Sequence, residues 1–213
     1  MNREDISIQE ITSLHDPLFV GFLNIYQKSF PLDQQMLVSF FINMLRDKES
    51  GKAEQFRLDV LATDKQVVGF AFYEIEQDAP SESRGAYLWY IATDPDVRGQ
   101  GFGGVLYQQV VHTVFEHFGC RLLCFEIEIE EEACQRYGQK AAAFAAWRRG
   151  WYKQQGAREL LGTYHLSGVG WHPAIPMQVM IHSNGGISPE EALAIAFRLQ
   201  DESIDEVGEL KLC

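Results

Sequence analysis

The chain has 213 residues, is 46% hydrophobic, and carries a formal charge of −12 at pH 7. That length suits a single domain spanning residues 1–213 with a sizeable core, and no apolar run is long enough to cross a membrane. The acidic balance argues against a nucleic-acid partner, which needs a basic footprint.

The N-terminal Met1-Asn2-Arg3-Glu4-Asp5 lacks the apolar core of a signal peptide. Cys120, Cys124, Cys134 and Cys213 show neither Cys-x-x-Cys spacing nor a nearby histidine set. Neither a disulfide framework nor a bound metal is expected, and the expected compartment is the cytoplasm.

Ile6 to Ile11 alternates apolar and polar residues and predicts a strand. Asp16-Pro17 predicts a helix start, with Asp16 as cap and Phe19, Phe22, Leu23, Tyr26 and Phe30 as the apolar face. Pro31 ends that helix, and Asp33 is expected to cap the next, whose face is Leu37, Phe40, Phe41, Met44 and Leu45. Phe56 to Thr63 and Gln66 to Glu76 predict a hairpin about Asp64-Lys65. A polar loop from Gln77 to Gly85 leads to a strand over Tyr87 to Thr93. A helix is expected from Gly101 to Phe118, with Leu106, Val110, Val114 and Phe118 as its stripe and Gly119 as its C-cap. A further strand follows over Arg121 to Ile129.

Between the strand ending at Thr93 and that helix lies Asp94-Pro95-Asp96-Val97-Arg98-Gly99-Gln100-Gly101-Phe102-Gly103-Gly104. Glycines lack a Cβ, so their backbone N–H groups can approach a ligand closely. At a helix N-terminus the unpaired donors and the helix dipole favour an anion, and Arg98 adds a fixed positive charge. The physical reading is a diphosphate cradle; a tight strand-to-helix turn holding nothing would use the same glycines. The spacing fits neither the Gly-Lys-Ser/Thr loop of nucleoside triphosphate sites nor Gly-x-Gly-x-x-Gly.

The pattern Arg98-Gly99-Gln100-Gly101-Phe102-Gly103, directly after a strand ending Ile91-Ala92-Thr93-Asp94-Pro95, resembles the GNAT family of acyl-CoA-dependent N-acetyltransferases. The resemblance implies an α/β (α+β) fold: a mixed, mostly antiparallel central sheet flanked by helices, in the order β-α-α-β-β-β-α-β-α-β-β. It implies that Arg98, Gly99, Gln100, Gly101, Phe102, Gly103 and Gly104 hold the diphosphate of acetyl-CoA. It also implies that the backbone around Ile91, Ala92 and Thr93 lines the pantetheine arm and the thioester, and that the first two helices wall the acceptor site. Because the chain is acidic and coenzyme A is polyanionic, local donors must overcome the global field.

The run Glu126-Ile127-Glu128-Ile129-Glu130 places three carboxylates on one face of a strand, which suits either a base or a solvated edge. By resemblance, Glu126 matches a glutamate that is the general base in some family members. The family's usual short link is replaced by Glu131 to Lys140, expected as a loop or a partial helical turn. A helix is then expected from Ala141 towards Gln155, with Phe144, Trp147 and Trp151 on one stripe. Its end, Trp151-Tyr152-Lys153-Gln154-Gln155-Gly156-Ala157, is similar to the second family motif. There Tyr152 takes the place of a tyrosine often assigned as general acid; a core tyrosine is the other reading.

Further on, Leu160 to Leu166 and Met177 to His182 predict strands, and Ser188-Pro189-Glu190-Glu191 predicts the start of a last helix bearing Leu193 and Phe197. His165, His172 and His182 lack ligand spacing and read as packing or surface, and residues 201–213 read as an acidic tail. The function expected is transfer of acetyl from acetyl-CoA to an amine, with Glu126 and Tyr152 as catalytic candidates. A catalytically silent acyl-CoA-binding module, or a different acyl donor or acceptor, stays open. Exposed aromatics would permit a homodimer.

Overall fold

The computed structural model describes residues 6–64, 66–160, 164–166 and 174–199. They fall into two compact units. One comprises the chain up to Ile75 with Leu88–Thr113, the other Glu76–Tyr87 with the chain from Val114 onward.

In the first unit, β1 (Ile6–Glu10), β2 (Phe56–Thr63), β3 (Val67–Ile75) and the distal part of β4 (Gly85–Thr93) are neighbours in that order. β1 runs antiparallel to β2, and β2 antiparallel to β3, as the predicted hairpin requires; Lys65 lies outside the described residues. Helices α1 (Phe19–Ser29) and α2 (Val38–Glu49) bury Phe22, Tyr26 and Phe41 against Phe70, Phe72 and Tyr90. The rings meet largely edge to face: Phe22 lies 4.8 Å from Phe70 and 5.1 Å from Phe41, and Tyr26 lies 5.0 Å from Tyr90.

Both predicted helix starts shift. The Asp16 carboxylate accepts from the Leu18 N–H at 2.8 Å, closing a turn before α1. Asp33 sits in a short 3-10 turn, Leu32–Gln34, and α2 begins after Leu37 with no side-chain cap. Tyrosines explain the delay. Tyr26 Oη donates to the Met36 carbonyl at 3.1 Å, while Tyr90 Oη donates to the Gln34 carbonyl at 2.7 Å and accepts from the Met36 N–H at 3.1 Å. These backbone groups are satisfied without helix, so the segment stays extended.

A bulge sets the other face of this unit. Leu61 stands opposite Gly69 and Ala62 opposite Val67, so Val68 is the extra residue. Alternation resets there. Val67 and Phe70 pack with α1 and α2, while Val68 joins Leu61, Phe102 and Leu106 beneath α3 (Phe102–His112). A Cβ at Gly69 would stand 2.6 Å from Leu106 Cδ1 and 2.9 Å from the Ala92 carbonyl oxygen. Backbone cannot yield as a side chain can, so Gly69→Ala is expected to cost about 1–3 kcal/mol. The measurement is a lower denaturant midpoint at unchanged slope.

The predicted stripe after the glycines holds through Leu106, Val110 and Val114, then slips. A π-helical turn over Thr113–His117 follows α3, and Phe115, not Phe118, takes the next buried place. Gly119, at φ +65°, ends the run as expected.

In the second unit, Gly85–Tyr87 of β4 pairs in parallel with Leu122–Cys124 of β5 (Leu122–Glu128). β5 pairs antiparallel with β8 (Ile175–Ser183) along its whole length. Of the strand expected over Leu160 to Leu166, Tyr164–Leu166 forms β7 and residues 161–163 lie outside the described residues; just before it Arg158–Glu159 forms β6, and both β6 and β7 run antiparallel to β8. His172 and the predicted tail lie outside the described residues. The segment after Glu130, expected as a loop or a partial helical turn, is helical: α4 (Glu130–Tyr137), with Glu130, Glu131 and Glu132 at the helix end that favours negative charge. Gly138, at φ +87°, separates it from α5 (Gln139–Gln154). The last helix, α6 (Pro189–Leu199), opens with a reciprocal cap: the Glu191 N–H donates to Ser188 Oγ at 3.1 Å, and the Ser188 N–H donates to Glu191 Oε2 at 3.0 Å.

Candidate functional site

The glycine loop belongs to the first unit and is built from both its ends. Upstream, the Asp94 N–H donates to the Val68 carbonyl at 2.9 Å, tying the end of β4 to the bulge. Asp94 Oδ1 then accepts from the Asp96 N–H at 3.0 Å and caps a single 3-10 turn, Pro95–Val97. Downstream, the Phe102 side chain is buried in the cluster with Leu61, Val68 and Leu106, anchoring the first turn of α3. Sequence reasoning placed Phe102 with the ligand; its ring belongs to the core, so only its backbone is available to the loop. Ile91 packs towards that same cluster and Ala92 towards α1 and α2, as alternation along β4 requires.

Between these anchors the chain turns on glycine. Gly99 and Gly101 have φ of +80° and +86°, a region L side chains rarely adopt. No side chain caps α3 at Gly101. An added Cβ would meet nothing within 4 Å at Gly99, Gly101 or Gly104, and only Thr93 Cγ2, at 4.0 Å, at Gly103. The missing side chains therefore leave open space directly over donors at a helix N-terminus, which an anion can fill. Arg98, exposed, precedes these glycines and adds a positive charge to that end of the loop.

The acidic strand belongs to the second unit, and its three carboxylates do not form the single row expected. β5 ends at Glu128, and Glu130 opens α4. Glu128 pairs with Arg148 and Glu130 with Arg149, both from α5. Arg149 and Lys153 also hold Glu159, at 3.5 and 3.0 Å. Glu126 is half-buried and accepts a hydrogen bond from the Tyr87 hydroxyl, itself buried on the parallel neighbour β4. Burial first, and the Glu126 charge second, hold the Tyr87 phenol well above its ordinary range.

Tyr152 is buried, with its ring 4.6 Å from Phe125. Phe125 and Glu126 are consecutive on a strand and point to opposite faces, so the two catalytic candidates approach β5 from different sides. Burial pushes the Tyr152 phenol up to about 12, against the pull of Arg148. Beyond it, the Ala157 N–H donates to the Tyr152 carbonyl at 3.0 Å, and Gly156 turns at φ +98° with His182 Nε2 3.3 Å from where a Cβ would stand. The Gly of the second motif is thus a helix stop pressed against a side chain. Sequence reasoning missed Tyr87, whose partner only strand pairing supplies, and the Val68-Gly69 bulge, which a lone glycine inside a strand signals.

Among the described residues, no group of three His, Cys, Asp or Glu could hold a metal, and no helix is long and apolar enough to cross a membrane.

Known proteins share this fold. The chain matches the acetyltransferase (GNAT) family over residues 19–159. No curated protein matches it. Among solved structures, it is similar to a protein assigned to the GNAT acetyltransferases from Bacteroides thetaiotaomicron, at 18% identity and TM-score 0.67, covering 92% of this chain and 97% of that one. It is also similar to a ribosomal-protein-alanine N-acetyltransferase from Brucella melitensis, at 18% identity and TM-score 0.57, covering 83% and 99%. A GNAT family acetyltransferase from Elizabethkingia anophelis with acetyl-CoA bound aligns at 11% identity and TM-score 0.55, covering 85% and 99%. These likenesses show the fold, a mixed α/β arrangement with a mostly antiparallel open sheet flanked by helices. With the family matched across most of its length, the chain belongs to the GNAT family of acetyltransferases.

Proposed function

We propose that this chain transfers an acetyl group from acetyl-CoA to an amine by direct attack on the thioester. The observation that carries the reading is the glycine loop: two left-handed glycines, an uncapped helix N-terminus, and open space where side chains would stand. The Elizabethkingia relative holds acetyl-CoA, which supports the same donor here. The diphosphate would be held by Arg98 and the backbone of Gly99, Gln100, Gly101, Phe102, Gly103 and Gly104, and the thioester by the backbone near Ile91, Ala92 and Thr93.

A protonated amine cannot attack, and a lysine-like amine has pKa about 10.4. Glu126, directly or through a water, takes the proton. Backbone N–H groups near Ile91 or Thr93 meet the negative charge developing on the carbonyl oxygen. By the family resemblance, Tyr152 is the group assigned to the departing sulfur. Burial disfavours loss of the phenol's proton, and the leaving thiol, of pKa about 8.5, can depart in part unprotonated. Tyr152 donates a hydrogen bond to that sulfur instead.

Tyr152→Phe is therefore expected to slow turnover by about 10- to 100-fold, the worth of one hydrogen bond to a charged group, with acetyl-CoA affinity unchanged. Turnover, calorimetric affinity and melting temperature on one preparation check it; a core tyrosine would lose stability and keep its rate. The function itself is tested by acetyl-CoA turnover against a mixed amine library with mass detection of products. An acetylated amine is expected. Acetyl-CoA bound without any product would identify a silent binding module.

A further inference from the structure

Tyr87 has no place in the reaction described so far, and its surroundings are unusual for a phenol. It is 3% exposed, lies in the short parallel stretch where β4 meets β5, and stands opposite Cys124 in the register. Side chains at Tyr87, Cys124 and Glu126 share one face of these strands, since Cys124 and Glu126 are two apart. The Tyr87 hydroxyl spans from β4 to the Glu126 carboxylate on the neighbouring strand.

We propose that Tyr87 is a positioning residue for Glu126, fixing the carboxylate's rotamer and setting its affinity for the proton it takes from the acceptor amine. The inference rests on the reading of Glu126 as the base.

Three observations carry it. First, the phenol keeps its proton. Burial first, and the Glu126 charge second, hold the Tyr87 phenol well above its ordinary range, so at neutral pH it stands as a donor to the carboxylate. Secondly, the other groups facing this pair do not compete for the proton. Cys124, next on the same face of β5, is buried and its thiol is pushed well up, so it stays neutral. β7 brings Tyr164 to the Tyr87 side, and β8 places apolar Val179 opposite Glu126. α6 brings Ile195 and Leu199 over Gly85, which precedes Tyr87 by two on β4. Further along β5, Glu128 pairs with Arg148 of α5. Thirdly, the anchor is rigid. β5 is hydrogen-bonded to β8 from Leu122 to Glu128, and Gly85–Tyr87 is laddered to β5. A carboxylate held this way cannot swing between rotamers, which preserves the alignment on which general-base catalysis depends. A hydrogen bond to the charged form also stabilises it, so the carboxylate with the Tyr87 hydroxyl holds a proton less tightly than the same carboxylate without it.

The test is Tyr87→Phe, which keeps the ring and removes the hydroxyl. The full chain is labelled with carboxyl-13C glutamate, and the Glu126 resonance is identified by its loss in Glu126→Gln. In Tyr87→Phe the Glu126 titration midpoint is expected to rise by about one pH unit, the tenfold change in proton affinity that one such hydrogen bond carries. The acidic limb of the turnover profile is expected to rise with it, against the best amine of the library. A midpoint that does not move overturns the proposal, and a fall in melting temperature alone would then mark Tyr87 as structural. A midpoint that moves while the turnover limb stays fixed shows that the contact is real but that Glu126 is not the base, so the failure would lie in the functional reading.

Discussion

Gly103→Val is expected to weaken acetyl-CoA binding by about 100-fold or more while leaving the fold intact. The site explains both halves. Gly103 lies in the first turn of α3 with ordinary helical backbone, so valine meets no conformational barrier there. Its Cβ would stand 4.0 Å from Thr93 Cγ2, a normal contact, and the two methyls beyond it would occupy the space over the helix N-terminus. If a diphosphate fills that space, it loses its approach to the backbone donors; two charge-assisted hydrogen bonds at about 1.5 kcal/mol each account for the factor. Gly101→Val is a poorer probe, because at φ +86° a β-branched residue strains the loop itself and confuses folding with binding. Gly103→Ala should fall between, since its single methyl intrudes less. Calorimetric titration with acetyl-CoA, beside melting temperatures, decides the matter. Wild-type affinity in Gly103→Val would remove this loop from the binding site.

The loop was legible in the sequence because backbone conformation is a local matter. Glycine at Gly99 and Gly101 announces positive φ, Pro95 announces a turn, and the apolar spacing from Leu106 to Val114 announces the helix behind them. The hairpin was legible for the same reason. What depended on partners distant in sequence was not. Asp33 reads as a helix cap until Tyr26 and Tyr90 are seen holding the backbone of Gln34 and Met36 in an extended path. Phe118 reads as the next rung of a stripe, but the π turn gives its place to Phe115. Phe102 reads with the glycines on either side of it, yet its ring is the peg that fixes α3. The three glutamates read as equivalent along a strand. Their differences come from α5, whose Arg148 and Arg149 neutralise Glu128 and Glu130, and from Tyr87, which reaches Glu126 from the adjacent strand. Alternation gives a face, but only pairing gives a partner.

That distinction makes Glu126→Gln the decisive substitution for the chemistry. Glutamine keeps the size and the acceptor oxygen, so the Tyr87 hydroxyl still has a partner and the strand is undisturbed. What is lost is the ability to take a proton. At neutral pH an acceptor amine of pKa about 10.4 is almost wholly protonated, and removal of a general base costs about 10²- to 10⁴-fold in turnover. The sign of the pH dependence follows. As pH rises towards the amine's own pKa, solvent does the work of the base, so the variant should gain rate steadily and close on the wild type near pH 10. Its acidic limb should then follow the amine alone. Acetyl-CoA affinity should be unchanged, because no step of donor binding uses the carboxylate. The measurement is a pH–rate profile for both proteins with one acceptor at saturating acetyl-CoA. If the variant keeps the wild-type acidic limb, the carboxylate does not take the proton, and the half-buried hydrogen bond between Tyr87 and Glu126 is a structural tie between two strands.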